Sequence, residues 1–203
     1  MVIQQSDDLR LCFIGDSFVN GTNDPEYLGW TGRVSILAWQ RGHQLTCYNL
    51  GVRRDTSSDI AARWESEAQR RLPDSCVPYV VFSYGVNDTM TEESRTRVPE
   101  LVSIENTRQI LRTARQRGYR TVLIGPPPIG DRQHNQRTRQ MSLAMGQVAE
   151  AEGVLFLSTF NALAKDPVWM ADVSAGDGAH PGAAGYAQFA VLVDDWECWW
   201  FKK

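Results

Sequence analysis

The sequence predicts an α/β domain, a parallel sheet with helices on both faces. Two observations carry this. Five short apolar runs recur along the chain, with longer amphipathic segments between them. The runs lack clean polar alternation, as strands covered on both faces do. Right-handed crossovers then leave few topologies, and ligands in such sheets sit beyond the carboxyl ends of the strands.

The elements follow in order. Leu11-Cys12-Phe13-Ile14 reads as the first strand and ends in Gly15. Trp30 to Arg41 has Val34, Leu37 and Ala38 on one helical side, and Leu45 to Leu50 is the second strand, ending in Gly51. Thr56 to Leu72 places Ile60, Ala61, Trp64 and Ala68 at helical spacing before Pro73. Tyr79-Val80-Val81-Phe82 leads to Gly85 as the third strand. Pro99 to Arg117 is helical, stopped by Gly118, and Thr121 to Ile124 is the fourth strand. Gln136 to Glu152 is helical, and Val154 to Leu157 is the fifth strand. Ala183 to about Trp200, entered through Pro181, reads as the last helix.

Composition narrows the class. The 203 residues, 22.9 kDa, fit a single domain over residues 1–203. With 42% hydrophobic and 22% charged residues, disorder, collagen-like repeats and a coiled coil are excluded. The apolar runs fall far short of the roughly 20 residues of a membrane span, so no stable membrane anchoring is expected. The opening MVIQQSDDLR has neither the basic start nor the apolar stretch of a secretory signal. A net charge of -3 argues against nucleic acid as the main partner. Arginines between Arg95 and Arg120 interleave with acidic residues, the pattern of a solvated face. Cys12, Cys47, Cys76 and Cys198 show no CxxC spacing and are read as reduced thiols in a cytoplasmic protein. No His and Cys cluster suggests a zinc site, and no cofactor is expected.

The strand ends carry the chemistry. The first runs into Gly15-Asp16-Ser17, where a serine would expose its hydroxyl at the sheet edge beside a helix N-terminus. Helix capping by Asp16 or Ser17 accounts for the same pattern. Late in the chain, Asp177-Gly178-Ala179-His180 offers an imidazole with a carboxylate three residues before it. Such a pair supplies the base a serine nucleophile needs, although a helix-entry turn reads the same way. His43 falls at the opposite edge of the sheet, and His134 falls in a polar loop exposed to solvent. The N–H groups of Ser17 and Gly51 and the Asn87 amide are candidate donors to an oxyanion. A plain turn at Gly51 and an Asx turn at Asn87-Asp88 are the bland alternatives.

Taken in order, Gly15-Asp16-Ser17, Gly51, Gly85-Val86-Asn87-Asp88 and Asp177-Gly178-Ala179-His180 resemble the blocks of the GDSL family of esterases and lipases, in its SGNH hydrolase branch. The resemblance spans most of the chain. It implies Ser17 as nucleophile, His180 as base, Asp177 orienting His180, and Ser17, Gly51 and Asn87 as the oxyanion hole. It also implies a flavodoxin-like three-layer α/β/α sandwich with strand order 2-1-3-4-5. Phe18 replaces the leucine of the family name. Arg54 stands where a glycine is often found three residues after Gly51.

The reaction so implied is ester hydrolysis through an acyl-enzyme, on a small-molecule ester. A carbohydrate O-deacetylase and an acyl thioesterase or lysophospholipase compete on the same site, and Gly125 to Gly130, with three prolines, would wall the acyl pocket. Rival classes are a flavodoxin-like nucleotide-binding module, with the Ser17–Asn23 loop as phosphate cradle, and an inactive interaction protein. Arg53 and Arg54 are expected in solvent or paired with Asp55 and Asp59. Trp196, Trp199 and Trp200 follow helical spacing and are expected to pack on the sheet, a homo-oligomer contact being the alternative.

Overall fold

The computed structural model describes residues 8–202. Seven strands and eight helices alternate through that range. In order they are β1 (Leu9–Gly15), α1 (Ser17–Asn20), α2 (Gly29–Gln40), β2 (Leu45–Gly51), α3 (Ser57–Gln69), β3 (Val77–Ser83), β4 (Thr91–Glu92), β5 (Arg95–Thr96), α4 (Glu100–Gln116), β6 (Arg120–Ile124), α5 (Arg132–Ala151), β7 (Leu155–Leu157), α6 (Phe160–Leu163), α7 (Pro167–Ala175) and α8 (Ala183–Asp194). The main sheet is parallel with order β2-β1-β3-β6-β7. Setting aside the β4–β5 hairpin, that is the 2-1-3-4-5 arrangement the family resemblance implies. Glu93 and Ser94, at φ 51° and 66°, form the hairpin's tight turn.

Strand side chains alternate between two cores. Leu11, Phe13, Tyr79, Val81 and Val122 pack with Trp30, Trp169, Tyr186 and Phe189 of α2, α7 and α8. Cys12, Ile14, Val80, Phe82 and Leu123 face Ile60, Trp64, Ile110, Leu111 and Met145 of α3, α4 and α5. The near-continuous apolar runs follow from this two-sided cover.

The register gathers the strand ends. Gly15 pairs with Gly51 on one side and with Ser83 on the other, Ser83 pairs with Ile124, and Ile124 with Leu157. The residues that follow each strand therefore emerge along one edge. A Cβ at Gly15 would lie 1.9 Å from the Ser83 carbonyl oxygen, so only glycine fits there.

Several boundaries differ from the sequence expectation. Helix α5 begins at Arg132, not Gln136, because the Asp131 carboxylate caps Gln133 and His134 N–H groups ahead of the first apolar position. His134, expected in a solvent-exposed loop, is therefore helical and buried. Helix α8 stops at Asp194 instead of reaching Trp200. There Arg41 grips both Asp194 carboxylate oxygens, and the chain turns so that Trp200 and Phe201 rings lie 4.9 Å from that of Tyr79. Trp199 and Phe201 are buried, so the aromatic tail packs inward without helical spacing. All four cysteines are free thiols. Among the described residues no helix is long and apolar enough to cross a membrane.

Candidate active site

Asp16 ends the turn after β1 and caps α1, its Oδ1 accepting the Phe18 N–H at 3.0 Å. Ser17 is the first helical residue, so its own N–H has no intrahelical acceptor. Its hydroxyl is nearly buried, at 3% exposure for the residue. The loop between α7 and α8 delivers the partners. His180 Nε2 stands 2.7 Å from Ser17 Oγ, and His180 Nδ1 stands 2.8 Å from Asp177 Oδ2. The other Asp177 oxygen accepts the Ala179 and His180 N–H groups at 3.0 and 2.8 Å. With Nδ1 protonated toward the carboxylate, Nε2 is left to accept the serine proton.

The electrostatics fit this order. Burial works to raise the Asp177 carboxyl, but the bonds from His180 and Ala179 outweigh it and hold the pKa at about 2. Asp177 thus stays charged opposite the imidazole. Asp16 behaves oppositely: burial, with Asp88 and Asp55 close by, pushes it up to about 7 despite the Phe18 N–H.

The Asn87 side chain is buried at the same edge. Its Nδ2 donates to the Asp55 carbonyl at 2.9 Å and lies 3.5 Å from Asp16 Oδ2. One amide hydrogen fixes the side chain on Asp55, and the second faces Asp16 Oδ2 across a long 3.5 Å, a weak bond that an oxyanion would replace. The next residue, Asp88, is clamped from both sides. Its carboxylate accepts the Ser57 N–H at the start of α3 at 2.9 Å and the Ser103 hydroxyl of α4 at 2.6 Å.

Gly51 departs from its expected part. Its N–H donates to Asn49 Oδ1 at 3.0 Å and so is already engaged. A Cβ at Gly51 would meet the Asn20 nitrogen at 2.2 Å, so this glycine serves the close approach of α1 to β2. The following turn, closed by Asp55 N–H to the Val52 carbonyl at 3.2 Å, puts Arg54 at φ 72°. An arginine here holds the left-handed geometry that glycine adopts without strain, so the turn is kept although the glycine is absent. Arg54 pairs with Glu92 across the rim, whereas Asp55 pairs with Arg63 and Asp59 caps α3 with Thr56. Arg53 and Arg54 are exposed, the solvent alternative of the expectation, and Asp55 and Asp59 take the partners just named instead.

Four contributors escaped sequence reasoning. The Phe18 ring lies 4.9 Å from the His180 ring and 6.3 Å from Trp169, so the aromatic exchange in the family name backs the imidazole. Trp169 itself is anchored by its indole N–H on the Pro128 carbonyl at 3.0 Å. Asp16 and Asp88 read locally as caps and turn formers, and nothing in their spacing announces their burial beside the serine. Among the described residues no group of three His, Cys, Asp or Glu side chains is placed to hold a metal ion.

A flavodoxin-like sandwich with a serine, an imidazole and a carboxylate in a hydrogen-bonded row at the strand ends has the layout of the SGNH class of folds. The chain belongs to the GDSL-like lipase/acylhydrolase family, which it matches over residues 13–188. Solved structures agree in fold. A lipase/acylhydrolase from Enterococcus faecalis is 21% identical, covering 91% of this chain and 93% of its own, with a TM-score of 0.69. A catalytic mutant of Axe2, an acetylxylan esterase from Geobacillus stearothermophilus, is 21% identical over 92% of each chain, at TM-score 0.73. The psychrotrophic esterase EstA from Pseudoalteromonas sp. is 15% identical over 97% of this chain and 100% of its own, at TM-score 0.75. No curated protein sequence matches the chain.

Proposed function

We propose that the chain hydrolyses carboxylic esters through an acyl-enzyme on Ser17. The observation that carries this is the unbroken row from Ser17 Oγ to His180 to Asp177, at 2.7 and 2.8 Å. His180 Nε2 takes the serine proton as Oγ attacks the ester carbonyl. The charge on the imidazolium is balanced by Asp177. His180 then gives the proton to the departing alcohol, and water repeats the cycle on the acyl group. The oxyanion rests on the Ser17 N–H and the Asn87 amide. The Gly51 N–H, engaged by Asn49 Oδ1 at 3.0 Å, would have to leave that bond to serve as the second main-chain donor.

The surroundings favour a short acyl group and a polar alcohol. Tyr84 to Thr89 and Gly125 to Ile129, the loops after β3 and β6, are closely packed and buried. On the other side, a cavity of about 490 Å³ opens beside α1, lined by Asn20, Thr22, Asn23, Asp24, Tyr27 and Arg53. Asp24 is committed to Arg33 and to the Glu26 and Gly29 N–H groups, which pins the loop and leaves Tyr27 92% exposed. An alcohol bearing hydroxyls suits that lining. The acetylxylan esterase among the similar structures is in keeping with the deacetylase reading, which we prefer to a long-chain lipase. A nucleotide-binding module would leave the Ser17–His180 bond without a use.

The test is twofold. Wild-type protein should take a fluorophosphonate label and hydrolyse acetyl esters, and Ser17→Ala, still folded by circular dichroism, should do neither. Retained turnover in that variant refutes the assignment. Across nitrophenyl esters, acetyl should exceed octanoyl in kcat/KM, and the reverse order refutes the short-acyl preference.

A further inference from the structure

The mechanism above leaves one buried histidine unused. His134, in the first turn of α5, points its Nε2 at the loop that carries Asn87. That nitrogen is 2.9 Å from the Val86 carbonyl oxygen and 2.9 Å from Thr89 Oγ1. A carbonyl only accepts, so Nε2 carries the proton and donates. The Thr89 hydroxyl continues the chain to Thr138 Oγ1 at 2.8 Å, and Arg137 Nε donates to the Thr89 carbonyl at 2.8 Å. His134, Arg137 and Thr138 stand at i, i+3 and i+4, one face of α5, and together they grip Val86 and Thr89. Asn87 lies between those two residues. On its other flank Asp88 is held by α3 and α4.

We propose that His134 is a positioning residue for Asn87: it fixes the Val86 carbonyl and the Thr89 side chain, and so sets where the Asn87 amide meets the oxyanion. Burial pushes the His134 pKa below the ordinary imidazole value, so the ring is neutral near pH 7 and holds the loop as a hydrogen-bond donor without bringing a charge to the site. The geometry demanded is strict, because an oxyanion donor works within a few tenths of an ångström of its place. His134 touches neither substrate nor Ser17 and acts only through the loop.

The inference rests on ester hydrolysis at Ser17, so wild type and Ser17→Ala are compared first. If wild type turns over and Ser17→Ala does not, a failure below concerns His134 alone. His134→Phe, which keeps an aromatic volume and removes the donor, is expected to lower kcat about tenfold with little change in KM, a fraction of the ~100-fold or more that losing a whole donor costs. His134→Gln keeps an N–H and should recover most of the loss. The deciding measurement is the cycle with Asn87→Ala. In that background His134→Phe should lower kcat by less than about twofold, because the group it positions is gone. An unchanged kcat in His134→Phe, or a full tenfold loss in both backgrounds, overturns the proposal. If His134→Phe does not fold, Thr138→Val enters the same cycle, with the same non-additivity expected and full additivity overturning it.

Discussion

His180 Nε2 lies 2.7 Å from Ser17 Oγ although 163 positions separate the two residues in the chain. The contact is a product of sheet register. Gly15, Gly51, Ser83, Ile124 and Leu157 end in one row, and the chain leaving β7 must return over that row through α6 and α7 before α8 closes the far face. Phe18 and Trp169 fill the space beneath the imidazole, so its approach to the serine is braced by packing as well as by Asp177.

Asp177 is the first group whose removal separates orientation from chemistry. Asp177→Asn keeps an oxygen for the Ala179 and His180 N–H groups but weakens the acceptor for Nδ1–H and favours the wrong tautomer. We expect kcat to fall by about 100- to 10,000-fold, with residual turnover from the oxyanion donors. Asp177 is partly exposed, so water can stand in at Nδ1, which favours the smaller figure. Steady-state kinetics beside Ser17→Ala will show it, and a loss under tenfold would remove Asp177 from the mechanism.

The architecture was legible because strands covered on both faces leave short apolar runs, bounded here by Gly15, Gly51, Gly85 and Gly125. Ser17, Asn87, Asp177 and His180 were legible because each follows a strand or opens a turn, where the fold converges polar residues. What stayed hidden depends on side chains seen only in three dimensions. His134 looked solvated because it falls in a polar stretch after Pro126-Pro127-Pro128, yet the cap at Asp131 starts α5 early and turns the ring inward. Gly51 looked like a donor, and the Asn49 side chain two residues back takes its N–H. The Trp-rich tail has helical spacing, but Arg41 on Asp194 ends the helix before that spacing is used.

Arg54 gives a stability prediction with a defined sign. At φ 72° a non-glycine residue carries about 1–2 kcal/mol of local strain. Glycine relieves it while adding unfolded-state entropy worth about 0.5–1 kcal/mol. The lost Arg54–Glu92 pair is exposed on both sides and contributes little. Arg54→Gly should therefore gain up to about 1 kcal/mol in urea unfolding and keep its esterase activity, since the side chain it removes is exposed and paired with Glu92. A large activity loss in this variant would mean that the guanidinium serves the reaction.

Asp88 holds three elements at one point. Asp88→Ala leaves the Ser57 N–H and the Ser103 hydroxyl facing a void with no acceptor. Bonds to a charged group are worth about 1.5–3 kcal/mol each, and the orphaned donors add a desolvation cost. A loss of about 3 kcal/mol in denaturant unfolding is expected, with the early turn of α3 losing hydrogen-exchange protection first. A loss below about 1 kcal/mol would show that water satisfies these donors and that the clamp on the Asn87 loop is weak.

Asp16 makes stability depend on pH in a direction opposite to most carboxylates. Its pKa is pushed up to about 7 from 3.8, chiefly by burial, so between those values the folded state binds a proton that the unfolded state has released. Stability contributed at this site is full below the unfolded value and declines as pH rises toward 7. Asp177, held at about 2, acts with the usual sign and changes only in strong acid, so the two effects do not overlap. Asp16→Asn keeps an oxygen for the Phe18 N–H and cannot ionise. Relative to wild type, it should gain in stability between pH 5 and pH 8, measured as the shift in urea midpoint. A gap between variant and wild type that stays constant over that range would show that Asp16 is ionised throughout, with Asn87 and the Phe18 N–H stabilising its charge more strongly than burial opposes it.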